Sequence, residues 1–296
     1  MEVFETYRPL LFSIAYRMLG SASDAEDMVQ ETYLRYRTAQ QAEIRSLKSF
    51  LTTVVTRLCL DELKSAHVQR EQYLGPWLPE PVLTGDAETL VERRESLSLA
   101  FLTLLEDLTP AERAVFVLHT AFDYPFDEIG QMLEKSATAC RQLFHRAQER
   151  LAAHQRRFEP PPNEQQELVG RFLLATQSGD VQGLTELLAR DVVVWADGGG
   201  KVSAARRPVS GQEKVIRFVQ GLQRKALADL TVSVETINGG PGLLFWSDGT
   251  LFMAGGFRVV DGQIHDIYAI MNPDKLAYLQ RQLRKRDHTP SATLWP

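Results

Sequence analysis

The hydrophobic pattern of this chain changes period once, and that change decides its architecture. From Pro9 to Leu187 apolar residues recur at helical spacing almost throughout. Beyond that they come as short runs rich in β-branched and aromatic residues: Val192–Trp195, Leu230–Glu235, Leu243–Trp246, Leu251–Val260 and Ile264–Ile270. Between the runs stand Asp197-Gly198, Asn238-Gly239, Asp248-Gly249 and Asp261-Gly262. Such pairs supply the left-handed backbone that a tight turn between strands needs. The pattern predicts an all-helical part followed by an α+β part. The latter has two helices near 163–177 and 180–189, a curved antiparallel sheet, and a crossing helix begun by the capping box Ser210-Gly211-Gln212-Glu213.

Within the helical part, Leu10, Leu11, Ile14, Ala15 and Met18 share one helix face, and Gly20 is placed to end that helix. Ser23-Asp24-Ala25-Glu26 reads as a capping box. The helix it opens turns Ala25, Met28, Val29 and Thr32 inward and Asp24, Asp27, Glu31 and Arg35 outward. A third helix, from about Ser49 to Ala66, faces inward through Phe50, Leu51, Val54, Val55 and Leu58. Gly75-Pro76-Trp77-Leu78-Pro79-Glu80-Pro81 cannot continue it, because each proline lacks a donor and restricts its predecessor. Residues 71–88 are therefore expected to be an extended linker. Trp77 and Leu78 either anchor the linker on its own domain or dock another domain. Helices resume from Thr89 to Glu106, and Thr109 caps a new one with Pro110 at its first position. Pro160-Pro161-Pro162 ends the helical half. The expected layout is thus two helical domains (1–70 and 89–158), the linker (71–88), the α+β domain (163–280) and a tail (281–296).

Composition narrows the function classes. Apolar content of 44% and charged content of 24% are those of a globular chain. No apolar run approaches the ~20 residues of a membrane span, and Met1-Glu2-Val3-Phe4 lacks a signal peptide's basic start. The expected location is the cytoplasm. Cys59 and Cys140 sit in helical patterns as core residues, and the six histidines show no metal-ligand spacing. Neither a metal nor a cofactor is expected. Net charge is −5, yet between Ser136 and Arg157 five arginines face one acid, Glu149. A local basic helix on a mildly acidic chain suits a DNA contact made as part of a larger assembly.

That helix carries the strongest local motif. Asp127 to Leu133 is a short amphipathic helix, Glu134-Lys135 a turn, and Ser136 the cap of a longer helix. This is a helix-turn-helix, whose second helix lies in the major groove. Thr138, Arg141, Gln142 and His145 share its outward face, while Leu143, Ala147 and Leu151 point inward. Arginine and glutamine pair their hydrogen bonds on base edges, and Arg146 and Arg150 are placed for phosphates.

Two further segments give the motif a context. Asp24-Ala25-Glu26-Asp27-Met28-Val29-Gln30-Glu31-Thr32-Tyr33-Leu34-Arg35 resembles the polymerase-binding helix of extracytoplasmic-function sigma factors. Phe50 to Asp61 resembles the next helix of the same domain, and residues 109–151 resemble the family's promoter-binding domain, in the expected order. The resemblance implies that Asp24, Asp27, Gln30 and Glu31 bind the β′ clamp of core RNA polymerase. It implies that the loop Gln40 to Lys48 captures a flipped base of the minus-ten element, with Arg45 and Lys48 nearby. Arg57, Lys64, His67 and Arg70 would hold the DNA backbone there or be plain solvated charges. The recognition helix would read the minus-thirty-five element.

The α+β part is similar to the SnoaL-like or ketosteroid-isomerase-like cone. Asp197-Gly198-Gly199-Gly200-Lys201, Asn272-Pro273-Asp274-Lys275-Leu276 and Trp77-Leu78-Pro79-Glu80-Pro81 look like hallmarks of sigma factors carrying this extension. In them it is thought to regulate the sigma domains from within the chain. Physically, the first motif is a glycine loop without the P-loop pattern, and Asn272 with Pro273 has a purely structural reading as a helix cap. Asp197, Asp248, His265, Asp266 and Tyr268 are the candidate acid–base groups, with no spacing that demands catalysis. The reading is a sigma factor, not an enzyme, monomeric when free, whose cone holds a small apolar ligand. The rivals are a one-component regulator sensing a ligand in the cone and a cone enzyme.

Overall fold

A computed structural model describes residues 2–39, 44–84, 97–152, 162–223, 229–286 and 293–294. The start of the expected helix at Thr89, part of the Gln40–Lys48 loop, the pair Arg156-Arg157 and most of the proline run near 160 lie outside them, as do the side chains of His67 and Arg70. The chain divides into two compact units. One is drawn from Met1–Gln72 and Phe101–Arg156, the other from Tyr73–Asp86, Ser98–Ala100 and Arg157–Pro296.

The first unit is helical: α1 (Glu2–Glu5), α2 (Arg8–Leu19), α3 (Ala22–Thr38), α4 (Leu47–Glu71), α5 (Leu99–Leu104, whose first two residues belong to the second unit), α6 (Pro110–Phe122), α7 (Phe126–Leu133) and α8 (Ala137–Ala152). Every residue of α2 from Leu11 to Leu19 is buried, so this helix is central rather than amphipathic. Gly20 ends it in the left-handed conformation at φ 69°. The cap of α3 is Ser21, not Ser23: its hydroxyl accepts from the Asp24 amide at 3.1 Å. Glu26, the expected partner of Ser23, pairs with Arg8 at 3.1 Å. Thr109 and Glu112 close a full capping box around Pro110, as the sequence implies. Buried polar groups join α6 to α2. Arg113, 1% exposed, donates from Nε and Nη2 to the Arg17 carbonyl at 3.2 Å and pairs with Glu106 at 2.5 Å. Burial lowers the Arg17 guanidinium to a pKa of about 10. Cys59 and Cys140 are free and buried, and burial raises both thiols.

The second unit is α9 (Pro162–Ser178), α10 (Val181–Leu187), β1 (Leu188–Asp197), β2 (Val209–Ser210), α11 (Gln212–Gln223), β3 (Thr231–Ile237), β4 (Gly240–Ser247), β5 (Thr250–Val260), β6 (Gln263–Ile270), α12 (Pro273–Lys285) and β7 (Thr293–Leu294). The strand order is β2-β1-β6-β5-β4-β3-β7. Three hairpins build the β3-β4-β5-β6 meander. Asn238, Asp248 and Asp261 open their turns at φ of 51°, 48° and 49°, each followed by a glycine at positive φ. The sheet is not wholly antiparallel. β1 runs parallel to β6, because α11 carries the chain across before the meander begins. Asp197-Gly198 makes no tight turn: Asp197 ends β1 and a long loop leads to the short strand β2, which pairs antiparallel with β1.

Strand alternation gives the sheet two faces. On one, Leu244, Trp246, Ala254, Tyr268 and Ile270 pack with Leu276, Leu279 and Leu283 of α12, and with Leu78, Leu83, Leu99 and Ala100. On the other, Val194, Val259, Ile264 and Ile267 pack with α9, α10 and α11. The expected linker is extended from Tyr73 to Thr84, but it is no free tether, for it forms part of the first face.

Candidate nucleic-acid interface and linker clasp

The helix-turn-helix forms as α7, a turn at Glu134 with φ 55°, and α8 capped by the Ser136 hydroxyl. Gly130 makes the turn possible, since a Cβ there would stand 2.6 Å from the Lys135 carbonyl oxygen. The inner face of α8 is Cys140, Ala147 and Leu151, with Leu143 half-buried. Phe144, absent from the expected set, stacks on Phe116 and meets His119 and Phe126 edge-on. Thr138, Arg141, Gln142, His145 and Arg146 are exposed. Arg141 lies over the Phe126 ring at 5.7 Å, which orients its guanidinium. Arg150 is engaged within the unit: it pairs with Glu112 at 3.1 Å and donates to the Asp107 carbonyl.

On α3, Ala25, Val29 and Thr32 are buried, and Asp24, Asp27 and Gln30 stand exposed in a row with half-buried Glu31. Glu31 pairs with Arg35 at 3.1 Å. Arg45 and Lys48 are exposed, Lys48 lying 5.8 Å from the Tyr124 ring. Lys64 pairs with Asp61 at 2.9 Å. Arg57, exposed, is engaged within the unit. Its Nε donates to the Met132 carbonyl at 2.9 Å, at the end of α7, and its Nη1 pairs with Glu134 at 3.0 Å.

The three short motifs of the second unit converge on one buried carboxylate. Asp197 is wholly buried. Its Oδ1 accepts from the Tyr73 hydroxyl at 2.5 Å and the Gly199 amide at 3.0 Å. Its Oδ2 accepts from the Leu78 amide at 2.9 Å and Lys275 Nζ at 2.7 Å. Its carbonyl accepts from the amides of Met271 and Asn272. Lys275 Nζ also donates to the Leu78 carbonyl at 2.5 Å and lies 4.0 Å from the Trp77 ring and 4.9 Å from that of Tyr73. Asn272 caps α12 through the Asp274 amide and donates to the Tyr73 hydroxyl at 2.9 Å. Gly199, at φ 59°, has no room for a Cβ beside the Asn272 amide. Lys201 pairs with Asp274 at the surface. Pro79 is buried, Pro273 fills the first turn of α12, and Leu276 packs in the same core as Leu78.

Here every acceptor position of a buried carboxylate is used, and its cation is shared with the linker backbone. That is the condition under which a buried ion pair is tolerated. Burial and the Asp197 hydrogen bond together hold the Tyr73 phenol above the usual tyrosine range. Further along the linker, Val82 and Asn238 exchange hydrogen bonds, Leu83 bridges Ile237, its amide donates to Gln282 at 2.8 Å, and the Thr84 amide donates to the Thr236 carbonyl. Tyr73 and Gln282 carry no sequence signal, being single polar residues far apart in the chain, and Asn238 signals only its turn, not its bond to the linker.

The candidate acid–base groups are occupied structurally. Asp197 is the hub just described. Asp266 pairs with Arg258 at 2.5 Å and accepts from the Trp195 ring at 3.1 Å, and His265 meets Asp191 at 3.2 Å. Asp248 opens a turn, and its amide donates to Asp229, whose carboxyl that bond lowers. Among the described residues no group of histidines, cysteines and carboxylates could hold a metal ion, and no helix is long and apolar enough to cross a membrane.

Comparison with known proteins agrees with this anatomy. Residues 3–68 match Sigma-70 region 2 and residues 98–151 match Sigma-70, region 4, which places the chain in the sigma-70 class of transcription-initiation subunits. It is 39% identical, over 93% of both chains, to the ECF RNA polymerase sigma factor SigJ of Mycobacterium tuberculosis. It is 34% identical, over 78% of this chain and 88% of that one, to a probable ECF sigma factor, SigI, of the same species. The crystal structure of the M. tuberculosis SigJ superposes with a TM-score of 0.77, at 36% identity over 94% of this chain and 98% of that one. The chain belongs to the extracytoplasmic-function family of RNA polymerase sigma factors. It is a transcription-initiation factor that binds core RNA polymerase and promoter DNA, and its relatives are not enzymes.

Proposed function

We propose that this sigma factor is regulated in cis by its C-terminal cone, acting through the linker. One observation carries the reading. The segment that joins α4 to the promoter-binding helices is part of the cone's core, through Leu78 and the Asp197 hub. Whatever holds or releases Tyr73–Thr84 therefore sets how far the two helical segments can separate, and a sigma factor must present both to one promoter. Within the helical unit, Arg57 is bound to the end of α7, which supports a closed resting arrangement that promoter engagement has to open.

The residue roles follow the same reading. Asp24, Asp27, Gln30 and Glu31 form the face for the polymerase β′ clamp. Thr138, Arg141, Gln142 and His145 read the minus-thirty-five element, with Arg146 on phosphate. Arg150, already shared with Glu112, adds less. Arg45, Lys48 and Lys64 lie near the minus-ten strand, and Arg57 joins them once released. The factor acts as a monomer in the cytoplasm, and its cone takes a small apolar ligand. Run-off transcription with the full chain and with chains ending after Asn163 or after Leu276 tests the regulation. The two shortened chains are expected to keep promoter choice and change output, each by its own amount. Equal output from all three would contradict it.

A further inference from the structure

The cone face opposite the linker is hollow. Between it and the helices α9 and α11 lies a cavity of about 430 Å³, within the ~300–1,000 Å³ typical of small-molecule sites. Its origin can be read across three strands. Ala196 of β1 pairs with Ala269 of β6, and Ala269 with Gly255 of β5. Three adjacent positions of one face thus carry almost no side chain, and a Cβ on Gly255 would meet only ordinary contacts at 3.6 Å and beyond. The space they leave is walled by Phe172, Phe218, Phe245 and Phe257.

The lining selects the occupant. None of the described residues around the cavity is ionisable. A charged ligand would lose its hydration there with no counter-charge among the described lining residues, and proton-transfer chemistry would find no ionisable group among them. One buried polar group stands out. Thr176 of α9 lines the cavity and is 8% exposed, and its hydroxyl oxygen is buried without a hydrogen-bond partner among the described residues. A buried hydroxyl in that state costs free energy that a ligand's polar group can recover.

The same strands connect the cavity to the clasp. Ala196 and Met271 line the cavity, and the next residues, Asp197 and Asn272, form the hub on the other face. Ser203 to Ala205 line it too, and they lie just beyond the glycine loop that the hub holds. We propose that the cavity is an effector site, taking an uncharged, mainly hydrocarbon molecule with one hydroxyl or carbonyl group at Thr176, whose occupancy tightens the linker clasp. The effector role rests on the regulatory reading above. If the clasp orders the cavity's walls, a ligand that needs those walls must in turn favour the clasp, because binding free energies couple reciprocally.

The test uses the full chain with decanol, decanoate and decylammonium as probes, read by calorimetry and by amide hydrogen exchange. Decanol is expected to bind saturably, and the two ions at least about tenfold more weakly. Thr176→Val should weaken decanol by roughly two- to tenfold, the value of one hydrogen bond, and Ala269→Phe, or Ala269→Leu should the larger ring prevent folding, should abolish binding. Exchange at the Leu78 amide should slow on saturation with decanol. Absence of saturable binding, or decanoate bound as tightly as decanol, would overturn the site. Binding with unchanged exchange at Leu78 would overturn the coupling. Regulation by the clasp itself is read separately, from the transcription output of clasp variants without any probe.

Discussion

Two of the connections that join remote segments of this chain are made by opposite means. The linker is held on the cone by a carboxylate and an ammonium group removed from water, the carboxylate with all its acceptor positions filled and the ammonium shared between it and the linker backbone. Arg57 is held on the helix-turn-helix at the surface, its side chain 44% exposed and Glu134 75% exposed. A desolvated hub is close to all-or-none, because losing one member strands a charge. A solvated contact yields gradually and responds to salt. In the proposed regulation the two connections would have different tasks: the clasp would fix which segment moves with the cone, and the surface contact would leave the helical unit easy to open.

The comparison breaks most sharply at Asp197. Asp197→Ala leaves Lys275 buried without its counter-charge, and the cone should lose about 3–5 kcal/mol in urea unfolding. Leu78→Ala removes a fully buried side chain from the cone's core and should cost about 2–4 kcal/mol by the same measurement. Tyr73→Phe deletes one hydrogen bond to the carboxylate and one from Asn272, a loss of about 1.5–3 kcal/mol. It also has a signature in pH. The folded protein holds the phenol above its ordinary value, so the unfolded chain releases that proton first. The stabilisation is present in full below a pH of about 10 and declines as pH rises beyond it. Unfolding free energy across that range should fall less steeply for Tyr73→Phe than for the native chain. Smallest of all, Arg57→Ala should cost less than about 1 kcal/mol, and its effect should shrink further in high salt. A loss for Arg57 as large as that for Asp197 would erase the distinction.

Much of this was legible in the sequence, for local reasons. Asn238-Gly239, Asp248-Gly249 and Asp261-Gly262 specify their turns by backbone chemistry alone, and Thr109-Pro110-Ala111-Glu112 specifies a helix start. Where local signals were degenerate the reading slipped. Ser21-x-x-Asp24 and Ser23-x-x-Glu26 both suit a helix cap, and the two cannot be told apart by spacing; the chain uses Ser21. Nothing in β1 says that it will lie parallel to β6, because that depends on where α11 deposits the chain. The three motifs around Asp197, Asn272 and Trp77 were visible as a resemblance, whereas their convergence was not. It needs Tyr73, one tyrosine among eight, to close the hub. The outward face of α8 followed from spacing. Arg150's engagement with Glu112 did not, since it joins residues nearly forty positions apart.

The measurement closest to the central claim is run-off transcription from one promoter by the native chain and by Tyr73→Phe, at matched folded concentrations and saturating core polymerase. Among the described residues the Tyr73 hydroxyl bonds only within the clasp, and the substitution leaves every residue of the α3 face and the α8 recognition face in place. Regulation through the linker predicts a changed output with the same start site and the same ranking of single-base promoter variants. The same output from both proteins, with hydrogen exchange showing the Leu78 amide released in the variant, would contradict it.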